Sequence, residues 1–307
     1  MSLVLVFPGQ GGQKVGMGRE LYDGIGAAKE TFESAGQILG YSISEKIFNG
    51  PAEELKKTEI TQPAVFTVSA AALAALKSKM RDMKPAFVAG HSLGEYAAVY
   101  ASGALDFENT LKLVAARGRI MAKISGGGMA VIMGLDDIKV KEICAAVEGI
   151  AEAVNFNSPG QVVIAGDKEG VEQASAAAKE AGAKRALPLA VSGPFHSSLM
   201  KPAQDEFAEF IKTIEFKRAE IPIVTNCRGE AVTEPEKIKQ ALIDQIASPV
   251  LWVDSINLMI KAGVDTFIEC GPGQVVGGLI KRISPDAKTL SVADMVSLEA
   301  AVAELNG

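Results

Sequence analysis

The chain has 307 residues, 48% of them apolar and 22% charged, ordinary proportions for one large domain with an insertion, or two domains, around a sizeable core. Its net charge of −6 speaks against nucleic acid as a general partner while leaving room for a local basic patch. The three cysteines, Cys144, Cys227 and Cys270, lack metal-ligand spacing and read as reduced, buried thiols.

The opening run, Met1-Ser-Leu-Val-Leu-Val-Phe7, is apolar, has no basic n-region and stops at Pro8, so it reads as a first strand and not as a signal peptide. The longest apolar tract, from about Ala64 to Leu76, is interrupted by Thr67 and Ser69 and is too short to span a bilayer. No membrane association and a cytoplasmic location are therefore expected. After the first strand comes Pro8-Gly-Gln-Gly-Gly-Gln13, which fits neither the dinucleotide fingerprint nor a phosphate-binding loop. Two readings stand for it: backbone N–H groups facing a crevice at the edge of a sheet, or a plain surface turn.

Residues 17 to 60 carry helical patterns broken at Gly40 and at Asn49-Gly50-Pro51. Thr61-Gln-Pro63 then resembles an N-cap with proline in the first turn, opening an Ala-rich helix to about Lys79. Pro85 opens a short β-prone run, Ala86 to Ala89. It is followed by Gly90-His91-Ser92-Leu93-Gly94 and a helix start at Glu95-Tyr96-Ala97-Ala98. A Gly-x-Ser-x-Gly between strand and helix suits a nucleophile elbow, because glycines two residues either side of the serine let strand and helix approach closely. Ser92 would stand exposed there, and the Leu93 N–H at the helix start would point toward an oxyanion. The alternative is a glycine-rich turn holding a packed serine.

Beyond the elbow, Asp106-Phe-Glu108 starts a helix that runs to Ile124, with Arg117 and Met121 four apart on one face. Gly126-Gly-Gly128 marks a break in composition. The pattern that follows is strand 129–133, helix 136–147, strands 151–156 and 161–165, helix 168–181 and strand 185–189. This βαββαβ order is that of a ferredoxin-like unit and predicts a small inserted subdomain over residues 126–190, with residues 1–125 and 191–307 forming an α/β core.

Val191-Ser-Gly-Pro-Phe-His-Ser-Ser198 would return the chain to that core. The sequence has only two histidines, and His91, adjacent to the serine, would project to the other side of the strand. His196 is thus the candidate general base, with a structural turn histidine as the alternative. The last third alternates helix 203–214, strand 221–225, helices flanking Gln245 to Trp252, strand 266–269 and a glycine turn, Cys270-Gly-Pro-Gly-Gln274, into another helix. Such alternation predicts a parallel sheet.

Taken together, Gly9-Gln10-Gly11, Gly90-His91-Ser92-Leu93-Gly94-Glu95, Arg117-Gly118 with Met121, Asn155-x-Asn157-x-Pro159, Gly193-Pro194-Phe195-His196-Ser197 and Gln245 with Pro249-Val250 resemble the malonyl-CoA:acyl carrier protein transacylase family. The likeness extends to the acyltransferase domains of polyketide synthases and covers nearly the whole chain. One departure is Gly12, where many members have serine. The resemblance implies an α/β-hydrolase-like fold with a parallel sheet and the inserted ferredoxin-like subdomain. It implies Ser92 as nucleophile, His196 as base, and the backbone N–H groups of Gln10 and Leu93 as oxyanion hole. It also implies Arg117, with Met121 and Phe195, at the acyl group, and Gln245 orienting His196 through its backbone carbonyl.

The substrates implied are malonyl-CoA and acyl carrier protein, whose phosphopantetheine brings the accepting thiol. No metal or other cofactor is expected. The carriers of this pathway are acidic, which makes Lys184-Arg185 and Lys281-Arg282 candidate docking positions, with solvated surface charge as the alternative for either pair taken singly. Two other classes share parts of the pattern: a serine esterase or thioesterase, which needs no Arg117, and a non-catalytic carrier-binding module.

Overall fold

In the computed structural model, which describes residues 2–191 and 193–306, the chain forms two sheets. Met1, Gly307 and Ser192 of the predicted re-entry stretch lie outside the described residues. The larger sheet has the order β10-β9-β1-β2-β7-β8, with β1 Leu3–Phe7, β2 Phe87–Gly90, β7 Ile223–Val224, β8 Ala231–Val232, β9 Thr266–Cys270 and β10 Lys288–Val292. The first five strands in that order are parallel and β8 runs antiparallel to β7 at one edge, so the predicted parallel sheet is in fact mixed.

Strand β1 lies at the centre, and Val4, Leu5, Val6 and Phe7 are all fully buried. Their side chains alternate between two cores: Leu5 and Phe7 join one apolar cluster, while Val4 and Val6 join another with Ala89, Trp252 and Phe267. Burial on both faces is what a parallel strand covered by helices requires. Because β1, β2, β7 and β9 point the same way, the loops that leave their carboxyl ends gather at one crevice. Those loops carry Gln10, Ser92, Asn226 and the Gly271-Pro-Gly turn.

The smaller sheet has the order β4-β5-β3-β6, formed by β3 Gly127–Met133, β4 Ala151–Ser158, β5 Gln161–Asp167 and β6 Arg185–Pro188. All its pairings are antiparallel. The helices Asp137–Ala146 and Lys168–Glu180 lie on one face over Ala130, Ile132, Val162 and Ile164. Met129, Val154, Val163 and Ala165 turn the opposite face into the main core. Backbone bonds stitch the two sheets' surroundings together: Val250 N–H donates to Val154 O (2.7 Å) and Phe156 N–H to Val250 O (3.0 Å).

Three local expectations are corrected. The Ala-rich helix starts at Thr58 and not at Thr61, so Pro63 lies inside it and removes one internal hydrogen bond. Thr61 does not cap this helix: its Oγ1 donates to Leu55 O at 2.6 Å. With 22 residues, Thr58–Lys79 is long and apolar enough to cross a membrane, contrary to the tract length read from the sequence, but most of it is buried against other helices of the main core. Strand β10 and the helix Met295–Asn306 are additional to the predicted elements.

Candidate active site

Strand β2 ends at Gly90, and the chain then turns so sharply that Ser92 takes a left-handed φ of 51°. The turn closes only with glycine at both ends. A Cβ on Gly90 would sit 1.9 Å from the Gly94 carbonyl carbon, and one on Gly94 would sit 2.1 Å from Phe7 O. A serine in this region is strained and must be held. Asn226, just beyond β7, holds it by accepting the Ser92 N–H on Oδ1 (2.6 Å) and donating from Nδ2 to Gly90 O (2.7 Å).

His196 also has a left-handed φ, 67°, and its ring is buried, with Nε2 2.7 Å from Ser92 Oγ. Its Nδ1 lies 2.8 Å from the backbone oxygen of Gln245. A carbonyl can only accept, so Nδ1 carries the proton and Nε2 is left as acceptor for the serine hydroxyl. Burial, and then the nearby charge of Arg117, push the His196 pKa down to about 3. The imidazole is therefore neutral and ready to take a proton. His91 projects away as expected: Nε2 meets Asn157 Oδ1 at 2.7 Å and its ring packs on Trp252.

Arg117 is 1% exposed, a buried cation in the helix Phe107–Ala122. Nη1 donates to Gln62 Oε1 (2.9 Å), and Nη2 to Gln245 Oε1 (2.9 Å) and Ser92 Oγ (3.4 Å). Its guanidinium lies over the Tyr96 ring at 5.2 Å. Among the described residues no carboxylate comes within ion-pair distance of it and its Nε has no hydrogen-bond partner. Burial lowers the Arg117 pKa but leaves the group a cation at neutral pH.

The Gln245 side chain ties these parts together, donating from Nε2 to Ser92 O (2.9 Å) and to Glu95 Oε2 (2.6 Å). Glu95 is 1% exposed and also accepts the Asn226 N–H (3.2 Å). Burial pushes its carboxyl up to about 7, against the opposing pull of those bonds and of Arg117.

The structure thus brings Ser92, His196, Arg117 and Gln245 into contact. Leu93 is the N-cap of the helix Gly94–Ala101, and the N–H groups of Gly94, Glu95 and Tyr96 after it are taken by the carbonyls of His91, Ser92 and Leu93 at 2.9, 3.0 and 3.1 Å. The loop bearing Gln10 presses on the elbow, since a Cβ on Gly9 would lie 2.6 Å from His91 O. Met121 is one contact further out, with Sδ 3.6 Å from Gln62 Nε2. Phe195 is 6% exposed and packs in the main core beside the histidine in sequence.

Gln62 and Asn226 were not singled out from the sequence, and Glu95 was quoted only as the last residue of the elbow motif, with no role. Gln62 left a sign there, as a long polar side chain directly before the apolar run Pro63-Ala-Val-Phe66. No group of three or more His, Cys, Asp or Glu side chains is placed to hold a metal among the described residues.

A strained serine, a neutral imidazole against it and an unneutralised buried guanidinium beside both define a site suited to acyl transfer with an anionic acyl group. The chain belongs to the acyl transferase family, whose domain model matches residues 4–298. It is 45% identical over 310 residues to the malonyl CoA-acyl carrier protein transacylase of Bacillus subtilis (strain 168), covering 99% of this chain and 97% of that protein. It is 46% identical over 304 residues to the protein of the same name from Haemophilus influenzae, covering 97% of each.

Among solved structures, the acyl-carrier-protein S-malonyltransferase of Burkholderia pseudomallei 1710b superposes with a TM-score of 0.95 at 45% identity over 99% of this chain and all of that one. A malonyl-transacylase solved with its type II PKS acyl-carrier protein gives a TM-score of 0.94 at 41% identity, over 99% and 100% of the two chains.

Proposed function

We propose that this chain transfers the malonyl group of malonyl-CoA to the phosphopantetheine thiol of acyl carrier protein through a malonyl ester on Ser92. In the first half-reaction Ser92 Oγ attacks the thioester carbonyl while His196 Nε2 takes its proton, and the Gln10 and Leu93 N–H groups receive the oxyanion. The C–S bond breaks and the imidazolium returns the proton to the departing CoA thiolate. In the second half the carrier thiol gives its proton to His196 and attacks the ester. The C–O bond then breaks and the proton returns to Ser92 Oγ. No metal or organic cofactor enters these steps. Gln245 O keeps the His196 tautomer fixed, and no acidic partner is needed.

The observation that carries this reading is the Arg117 guanidinium, buried with no carboxylate within ion-pair distance among the described residues, 3.4 Å from Ser92 Oγ. A malonyl carboxylate supplies the missing anion with two parallel hydrogen bonds. Met121 and Phe195 complete the acyl side of the pocket in this reading. It also takes residues 1–125 and 191–307 as an α/β-hydrolase-like core and 126–190 as a ferredoxin-like insertion, supported by the two separate sheets and the strand order of the smaller one.

The carrier is proposed to dock over a cleft of about 890 Å³ lined by Lys184 and Arg185 from the small sheet and Lys281 and Arg282 from the helix Val275–Ile283. None of the four forms an ion pair among the described residues, and Asp136 is the one acid in the lining. The relative solved with a type II PKS carrier favours a second reading of the partner alone, a polyketide carrier in place of a fatty-acid one.

Mixing the protein with malonyl-CoA and weighing it intact tests the reaction. One malonyl mass on the Ser92 peptide, with CoA release stopping near one equivalent, is expected. Continued CoA release marks a hydrolase, and full labelling of Ser92→Ala refutes the nucleophile.

A further inference from the structure

We propose that Glu95 is a positioning residue for Arg117, acting through the side-chain amide of Gln245; the proposal rests on the acyl-transfer reading above. Glu95 is 1% exposed, and no lysine, arginine or histidine reaches it within ion-pair distance among the described residues. A buried carboxyl whose hydrogen bonds among the described residues come from the neutral Gln245 Nε2 and Asn226 N–H is costly to keep in a core. What it does here is impose a direction on its neighbour.

A carboxamide has one donor end and one acceptor end. The donor end of Gln245 is taken by two acceptors, Glu95 Oε2 at 2.6 Å and Ser92 O at 2.9 Å, and this turns Oε1 toward Arg117 Nη2 at 2.9 Å. Reversing the amide would set its NH2 against the guanidinium, donor to donor, and its oxygen against Glu95 Oε2 and a carbonyl. Oε2 is fixed as an acceptor in either protonation state of the carboxyl, because it also accepts the Asn226 N–H at 3.2 Å.

The other end of the guanidinium offers a comparison. Nη1 is held by Gln62 Oε1 (2.9 Å), whose own amide is anchored, among the described residues, only by Gln10 Oε1 (3.2 Å) and Met121 Sδ (3.6 Å), both neutral. The Glu95-fixed end is the one that faces the reacting atoms, since Nη2 is also the nitrogen 3.4 Å from Ser92 Oγ. Freed of Glu95, the Gln245 amide no longer specifies where Nη2 sits, and a carboxylate-bearing acyl group loses its fixed partner. An acetyl group makes no use of that partner.

The test compares malonyl-CoA and acetyl-CoA as donors for the wild-type protein, Glu95→Met and Glu95→Gln, after intact mass has shown that the wild type takes up malonyl. Glu95→Met should raise KM for malonyl-CoA and lower the malonyl-over-acetyl preference, each by about tenfold, the scale of one lost charge-assisted bond. Glu95→Gln keeps an acceptor oxygen and should restore most of the preference.

Equal slowing of malonyl and acetyl transfer overturns the proposal, because a brace acting only on the elbow through Asn226 would do that. So does an unchanged preference in Glu95→Met, or equal loss in both variants. Should Glu95→Met fail to fold, Glu95→Asp withdraws the oxygen by one methylene while keeping the charge, and an undiminished preference in it refutes the proposal. A wild type that takes up no malonyl mass refutes the acyl-transfer reading and this proposal with it. Normal acylation with unchanged preference in the variants removes the role of Glu95 alone.

Discussion

Arg117 and Ser92 meet across 3.4 Å, Nη2 to Oγ, with the guanidinium 1% exposed and held by the carbonyl ends of two glutamines, by that hydroxyl and by an aromatic face. A cation kept this dry without a counter-ion is stabilised when a carboxylate arrives and gains nothing from an acetyl group. Hydrogen bonds to a charged group contribute about 1.5 to 3 kcal/mol, roughly one to two decades in rate. Arg117→Ala should therefore lower the malonyl rate by that factor while sparing or raising acetyl transfer. Arg117→Lys should recover little, since an ammonium cannot bond both glutamines and a bidentate carboxylate at once. Single-turnover acylation with both donors measures this, and equal slowing of the two would make Arg117 structural.

The His196 pKa, pushed down to about 3 by burial and then by Arg117, sets the pH dependence. As pH falls through the ordinary imidazole range the base stays unprotonated, so the rate of malonyl uptake should remain level from pH 8 to about 5. Removing Arg117 removes the second cause. The acid limb of Arg117→Ala, followed with acetyl-CoA, should move up toward neutral pH. A wild-type limb centred near the ordinary value of 6.5 would contradict the neutral, desolvated base.

Asn226 spans the strained turn from Ser92 N–H to Gly90 O, at 2.6 and 2.7 Å. Asn226→Leu leaves both groups without their partner and the left-handed serine unsupported, costing about 2 kcal/mol of stability. Acylation should slow by at least about tenfold, more than the loss of stability alone accounts for in the fully folded fraction. Thermal melting together with single-turnover kinetics checks both parts. A variant that melts lower yet acylates at the wild-type rate would show that Asn226 supports the fold and not the geometry of Ser92.

What the sequence made legible was what chemistry writes locally. The elbow is spelled within five residues because Gly90 and Gly94 have no room for a Cβ, and with only two histidines in the chain the pairing of Ser92 with His196 had few rivals. The six-element order of the small sheet was likewise visible, since its strands and helices switch period cleanly. Arg117 and Gln245 could be singled out only through resemblance, because 128 residues separate two side chains that bond at 2.9 Å. Asn226 gave no sign at all and Glu95 stood only as the last residue of the elbow motif, without a role, as their partners come from distant parts of the chain. The start of the Thr58–Lys79 helix was misplaced because a proline near a helix start looks alike at its first position and one turn inside. Strand β10, Lys-Thr-Leu-Ser-Val, is half-buried at a sheet edge and has too little apolar contrast to stand out.

The cleft shared by Lys184, Arg185, Lys281 and Arg282 places two separate basic pairs on one surface. Opposite charges across a rim set encounter rates more than affinity, and salt screens them over about 8 Å at physiological ionic strength. Raising salt should weaken carrier binding more than malonyl-CoA binding. The double variant Lys281→Glu, Arg282→Glu should raise KM for the carrier by about tenfold and leave malonyl-serine formation from malonyl-CoA within about twofold. Equal salt sensitivity of the two substrates, or a reversal that changes neither, would move the docking face elsewhere.

Glu269 provides a test of the fold away from Ser92. At the end of β9 it is 1% exposed and accepts the Val276 and Gly277 N–H groups at 3.1 and 2.7 Å. Burial outweighs those bonds and raises its pKa from 4.5 to about 7. Between these two values the folded protein holds a proton that the unfolded chain has released, so the stability from this group is fully present below about pH 4.5 and is lost as pH rises through about 7. Glu269→Gln is neutral throughout and keeps a carbonyl oxygen for the Gly277 N–H. The melting temperature of the wild type relative to Glu269→Gln should thus fall between pH 5 and pH 8 and level off above. The whole change amounts to at most about 3.5 kcal/mol, since each pKa unit is about 1.4 kcal/mol. Melting both proteins across that range decides the matter: a difference that stays constant with pH would mean that the carboxylate is ionised in the fold and that its two N–H donors outweigh its burial.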